Sequence, residues 1–213
     1  MRVDPIDLIV FDLGHVLIDV CDGWLQAFEQ SGIAVPQGWD CPQLRAAVRI
    51  VVHRCERGEL GNESFAVEVA RLIGVTSEDV MRLSRAFLRR PYSGAIELVV
   101  QLDGTDVQLA CLSNTNPLHW SKMNDLDDAS YLPLALLDYS WVSYRLGLRK
   151  PDPQIYEYVE VDSKVAPQNI LFFDNLVENI DAARRRGWRA QWIRPDGTQV
   201  AQLRRHLQGY QLL

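Results

Sequence analysis

The stretch Leu8-Ile9-Val10-Phe11-Asp12-Leu13-Gly14-His15-Val16-Leu17 constrains the chain more than any other. Its first four residues are apolar without alternation, and a carboxylate follows at once. A short unbroken run of this kind reads as a parallel strand buried on both faces, because helices cover both faces of such a sheet. In open α/β sheets, ligands sit beyond the carboxyl ends of the strands, where Asp12 falls. Gly14, two residues on, is expected to let the backbone turn sharply and approach a ligand. From this segment alone, Asp12 is either a nucleophile that also holds a cation or a strand-ending residue that caps the next turn.

The rest of the chain is sorted by its hydrophobic period. Helical stretches are expected at 22–30, 40–56, 62–73 and 77–90, ending before Gly32, Gly58, Gly74 and Pro91, with no clear strand among them. From Ser93 onward the pattern alternates. Strands are expected at 107–112, 134–139, 169–173 and 189–193, and helices at 94–102, 117–123, 152–161, 177–186 and 198–207. Such alternation requires a parallel sheet with covered faces. The expected fold is therefore α/β: a Rossmann-like parallel sheet core from residues 1–18 and 92–213, with a small helical domain, 19–91, inserted after the first strand.

Composition excludes several classes of function. A net charge of -6 and a pI of about 5.2 argue against a nucleic-acid binder or a partner of anionic membranes. No apolar run approaches the ~20 residues that span a bilayer, and Met1-Arg2-Val3-Asp4-Pro5 does not resemble a secretory signal. Cys21, Cys41, Cys55 and Cys111 form neither a C-x-x-C pair nor a zinc spacing, so all four read as reduced, buried packing residues. A cytoplasmic protein, monomeric or homodimeric, is expected.

Three expected strands end on polar residues: Asp12, then Ser113-Asn114, then Asp174-Asn175. Lys150 precedes a helix in Gly147-Leu148-Arg149-Lys150-Pro151. In a parallel sheet such ends converge on one rim. A carboxylate, a hydroxyl, a lysine and a second acidic site are what phosphoryl transfer through an aspartyl-phosphate needs. The carboxylate attacks phosphorus, while Ser and Lys hold the equatorial oxygens on which charge accumulates. Taken singly, Lys150 reads equally as a solvated lysine, Ser113-Asn114 as a turn, and Asp174 as a helix cap.

Together these segments resemble the haloacid dehalogenase-like (HAD) hydrolases over essentially the whole chain. Phe11-Asp12-Leu13-Gly14-His15-Val16-Leu17 is similar to the first motif of that family, and Leu112-Ser113-Asn114-Thr115-Asn116 to the second. The segment from Gly147 to Tyr156 is similar to the third, and that from Phe172 to Ile180 to the fourth. The α-D-glucose-1-phosphate phosphatase-like branch is the nearest group in pattern. The resemblance implies a phosphatase of small phosphorylated metabolites, including sugar phosphates, with an α-helical cap in the insertion. It makes Asp12 the nucleophile, with Ser113 and Lys150 on the phosphoryl group and Asn114 backing the loop. It further implies Mg2+ held by Asp12, the Gly14 carbonyl and the acidic site at Asp174 and Asn175; because Asn175 is neutral, the ion is expected to bind weakly unless Asp174 or Glu178 takes over.

Two positions depart from the family pattern. Gly14 stands where most family phosphatases carry an acid–base aspartate, although the glucose-1-phosphate branch shares the glycine. Asn175 stands where an aspartate usually binds the metal. His15 is a candidate substitute for the missing acid and Arg57 a candidate substrate reader; both have the alternative of a structural or solvated role. The departures leave open a second class, a catalytically impaired protein that binds a phosphorylated ligand or partner. A metal-independent dehalogenase ranks last, because the tyrosine and glycine that those enzymes carry after the nucleophile are absent.

Overall fold

The structure is a computed structural model that describes residues 5–124 and 132–213. The first apolar run forms β1 (Leu8–Phe11), buried along its whole length. Two short strands, β2 (Ile18–Val20) and β3 (Leu88–Pro91), pair antiparallel. Between them lie α1 (Trp24–Ser31), α2 (Pro42–Glu56), α3 (Asn62–Ile73) and α4 (Ser77–Phe87). Then follow α5 (Ala95–Asp103), β4 (Gln108–Ser113), α6 (Pro117–Met123), β5 (Tyr139–Val142), α7 (Ser143–Leu146), α8 (Pro153–Ser163), β6 (Ile170–Asp174), α9 (Val177–Arg185), β7 (Arg189–Trp192) and α10 (Gln199–Gly209).

The main sheet has the order β5-β4-β1-β6-β7, and every neighbouring pair is parallel. Successive residues of β1 face opposite sides of the sheet. Ile9 and Phe11 pack with Cys111, Phe173, and Leu98 and Leu203 of α5 and α10. Leu8 and Val10 pack with Leu112, Phe172, and Ile155 and Ile180 of α8 and α9. Both faces are covered, which is why the strand is apolar at every position.

The helical insertion has a hydrophobic core of its own, built on residues such as Phe28, Val48, Val69, Val80 and Leu83. At the start of α4 the Thr76 hydroxyl accepts from the Asp79 N–H while the Asp79 carboxylate accepts from the Thr76 N–H, which closes both ends of a capping box.

Four local expectations are corrected. The helix expected over 77–90 stops at Phe87, and Leu88–Pro91 becomes a strand against Ile18–Val20. Four residues ending in proline carry too little period to declare a strand; the partner across the ribbon supplies the pairing. The strand expected over 134–139 is a 3-10 turn at Leu134–Leu136, and the strand begins at Tyr139. The backbone bonds offered by β4 start there: Leu109 and Asp138 are tied at 2.8 Å through both the main chain and the Asp138 carboxylate. Gly14 is not in the left-handed region, and His15 takes that conformation instead, with φ of 57°. Histidine is among the non-glycine residues that tolerate it. Cys41, which directly precedes α2, is exposed rather than buried.

Candidate active site

β1, β4 and β6 are adjacent, so Asp12, Ser113 and Asp174 emerge side by side at one rim. The Asp12 N–H donates to the Phe173 carbonyl at 2.8 Å, which extends the β1–β6 ladder by one bond. Lys150 arrives from a loop, and Asn114 holds its main chain there. The Asn114 amide donates to the Lys150 carbonyl and accepts from the Lys150 N–H, both at 2.9 Å. Asn114 therefore positions the lysine and does not itself offer a free amide to a ligand.

The Lys150 ammonium lies 2.9 Å from Asp12 Oδ1 and 2.6 Å from Asp174 Oδ2, with 1% of its side chain exposed. Asp174 is fully buried. Its carboxylate also accepts from the Leu176 N–H at 2.8 Å and from Asn179 Nδ2 at 3.0 Å on each oxygen. Buried ions persist only when paired and hydrogen-bonded. This cluster meets that condition with one cation between two anions.

Burial pushes the Asp12 carboxyl up to about 6; Lys150 opposes that shift and the Asp174 charge adds to it. Burial works against the charged form of Lys150, but the two carboxylates outweigh it and hold the ammonium above its ordinary range. At neutral pH, Asp12 is thus an ionised carboxylate with a fixed counter-ion beside it.

Asp174, expected in the metal set, is tied by hydrogen bonds to the lysine and to its own helix. It acts as the anchor of the lysine. Asn175 is half-buried, and its main-chain carbonyl accepts from the Trp192 indole at 2.8 Å. Of the set expected from sequence, the second Asp12 oxygen, the Gly14 carbonyl and the Asn175 amide would hold a magnesium ion. Among the described residues no group of three or more His, Cys, Asp or Glu is placed to hold a metal. One carboxylate with neutral oxygens still suits a hard cation, which is commonly completed by phosphate oxygens and water. The residues fit magnesium on those terms.

Ser113 is buried at the end of β4 and borders, with Gly14, a cavity of about 150 Å³. His15 is half-buried, with Nε2 4.0 Å from Asp22 Oδ1. Burial lowers its pKa against the pull of Asp22 and Asp19. Arg57, the candidate substrate reader, donates from one guanidinium nitrogen to Asp152 at 3.0 Å. Beside it Glu56 accepts from Arg149 at 3.1 and 2.9 Å. The two pairs tie the end of α2 to the loop that carries Lys150. Gly58, with φ of 72°, sits so close to the Tyr144 carbonyl that a Cβ would collide with it.

Sequence reasoning passed over Asn179 and His119. Asn179 lies five residues after Asp174, one turn into α9, a spacing that returns its side chain to the strand end. His119 bonds the insertion through the Ser84 carbonyl at 2.8 Å, and nothing in the sequence around it signals that contact.

A strand-end carboxylate with its own fixed cation, under a helical insertion, places the chain among hydrolases that work from the rim of a Rossmann-like sheet. Within that class it belongs to the haloacid dehalogenase-like hydrolases, whose family model matches residues 6–187. It is similar to the D-ribitol-5-phosphate phosphatase of Bacteroides thetaiotaomicron, with 27% identity over 185 residues, 84% of this chain and 88% of that protein. A HAD family enzyme of the same organism superposes with a TM-score of 0.81 at 20% identity, covering 93% of this chain and 99% of that one. Its complex with magnesium and inorganic phosphate gives 0.76 at 20% identity, over 90% of this chain and 96% of that one. A HAD-like family hydrolase of Porphyromonas gingivalis gives 0.75 at 26% identity, covering 96% and 98%.

Proposed function

We propose that this protein is a magnesium-assisted phosphatase of small phosphorylated metabolites that works through an aspartyl-phosphate on Asp12. The observation that carries the reading is the buried ammonium of Lys150 beside Asp12. It keeps the carboxylate ionised near neutrality and is available to a phosphoryl oxygen. An Asp12 oxygen bonds to phosphorus as the ester P–O bond breaks, and the departing alkoxide takes a proton from water. The resulting hydroxide then adds to phosphorus, freeing inorganic phosphate and restoring the Asp12 carboxylate. Ser113 steadies an equatorial oxygen, Asn114 and Asp174 hold Lys150 in place, and the helical insertion acts as the cap that keeps bulk water from the rim. Magnesium, held by Asp12, Gly14 and Asn175, supplies charge neutralisation that lets one anion approach another. Likeness to a D-ribitol-5-phosphate phosphatase supports the reaction class.

The saturated Asp174 carboxylate favours a second reading, a phosphate-ester binder with little turnover. One assay separates the two: a screen of phosphate monoesters with and without magnesium, with Asp12→Asn as the control. Release of phosphate that is lost in Asp12→Asn supports the phosphatase. Binding of phosphate esters without release by the wild type supports the second reading.

A further inference from the structure

Two cavities of about 150 Å³ each lie between the helical insertion and the sheet rim. One reaches Gly14 and Ser113 at the floor, and both are bordered by Phe87, Asn114, Thr115 and His119. In the upper cavity the insertion contributes Trp24, Val52, Phe65 and Phe87 as walls. Among the described residues neither cavity is lined by a lysine or an arginine.

The polar side chains at these walls are largely taken up by the protein. Ser84 is bonded to His119 at 3.1 Å, and Asn114 is committed at both ends to Lys150. Glu56 gives one oxygen to Arg149. His119 is half-buried and neutral, its pKa pushed down to about 4 by desolvation. A polyol leaving group would bury several hydroxyls against aromatic and aliphatic surface, and each unpaired hydroxyl is costly. A leaving group with a carboxylate or second phosphate would find no cation. The upper cavity, about 150 Å³ with Trp24, Val52, Phe65 and Phe87 forming its apolar side, is of the size that accepts a benzene-like group.

We propose that the preferred substrates are phosphate monoesters of neutral, mainly apolar alcohols of about benzene size, selected by Trp24, Val52, Phe65 and Phe87. The inference rests on the phosphatase reading and narrows it: the sugar phosphates expected from sequence become poor substrates.

The test compares benzyl phosphate with D-ribitol 5-phosphate, both esters of primary alcohols, so the scissile bonds match. The expected preference in kcat/KM is roughly 100-fold for the benzyl ester, because a pocket with few free polar groups penalises each buried hydroxyl. Val52→Asn puts an amide into the wall and should reduce that preference about tenfold, leaving inhibition by inorganic phosphate unchanged. A second readout needs no turnover: benzylphosphonate should bind at least about tenfold tighter than methylphosphonate by calorimetry. Equal or better turnover of the ribitol ester, or equal binding of the two phosphonates, would overturn the inference. If neither ester is hydrolysed but benzylphosphonate still binds selectively, the phosphatase reading fails while the apolar selectivity stands.

Discussion

Lys150→Met tests the charge arrangement at the rim most directly. Methionine keeps much of the stem and removes the ammonium. In the native protein that ammonium lies 2.9 and 2.6 Å from two carboxylates, and all three groups are withdrawn from water. In the variant, Asp12 and Asp174 face the same dry space without a counter-ion. Breaking a buried pair from one side costs roughly 3–5 kcal/mol. The second stranded carboxylate adds repulsion, so a loss of about 4–5 kcal/mol is expected. With a urea m value of about 2–3 kcal/mol/M for a domain of this size, the unfolding midpoint falls by about 2 M. Without the lysine that opposes the rise, Asp12 holds its proton more tightly in the folded variant than in the unfolded chain. Folded stability is therefore recovered as pH falls, and the gap to the wild type narrows toward acid pH. Adding Asp174→Asn returns the rim to a single negative charge and should restore at least about 2 kcal/mol. Urea unfolding followed by far-UV circular dichroism reads all three quantities. A loss below about 1 kcal/mol, with no pH dependence and no recovery in the double variant, would refute the reasoning.

Other predictions follow from the same geometry. Because the Asp12 carboxyl is pushed up to about 6 and must be ionised to attack, kcat/KM rises as pH climbs through that value. The stability contribution of the same group runs the other way: it is full at low pH and is lost as pH rises from the ordinary carboxyl value of 3.8 through about 6. A rate profile flat across this range would remove Asp12 from the role of nucleophile. Asn175→Asp restores a charged oxygen to the metal position and should tighten magnesium binding in calorimetric titration; unchanged affinity would show that Asn175 is not a ligand. At Gly14 a Cβ would meet only the Val20 methyls, at 3.6 and 3.8 Å, so Gly14→Asp fits. It should raise turnover toward the low end of the roughly 10²–10⁴-fold that a placed acid–base group supplies. Gly58→Ala meets both a positive φ and the Tyr144 carbonyl. Its thermal midpoint should fall by the equivalent of at least about 1–2 kcal/mol, together with a raised KM as α2 lifts from the Lys150 loop.

Much of this molecule was legible in the order of its residues. The unbroken apolar run at Leu8–Phe11 announces a strand covered on both faces, and the alternation after Ser93 announces the parallel sheet. These are local and periodic signals, and burial enforces them residue by residue. Asp12, Ser113 and Asp174 stood out because polar residues that end apolar strands must share one rim. The roles within that rim were not legible. That Asp174 shares its oxygens between Lys150 and Asn179 depends on distances between residues 24 apart and on a helix turn. That Leu88–Pro91 is a strand depends on a partner some 70 residues away, because a strand this short has no period of its own. Arg57 reads in sequence as part of a charged turn that either meets the substrate or faces solvent, and its tie from the insertion to Asp152, 95 residues on, appears only in the fold. Periodicity records which face of an element is buried; the partner of a charge is decided by which elements the fold brings together, and that is the physical reason the fold was readable and the division of labour at the rim was not.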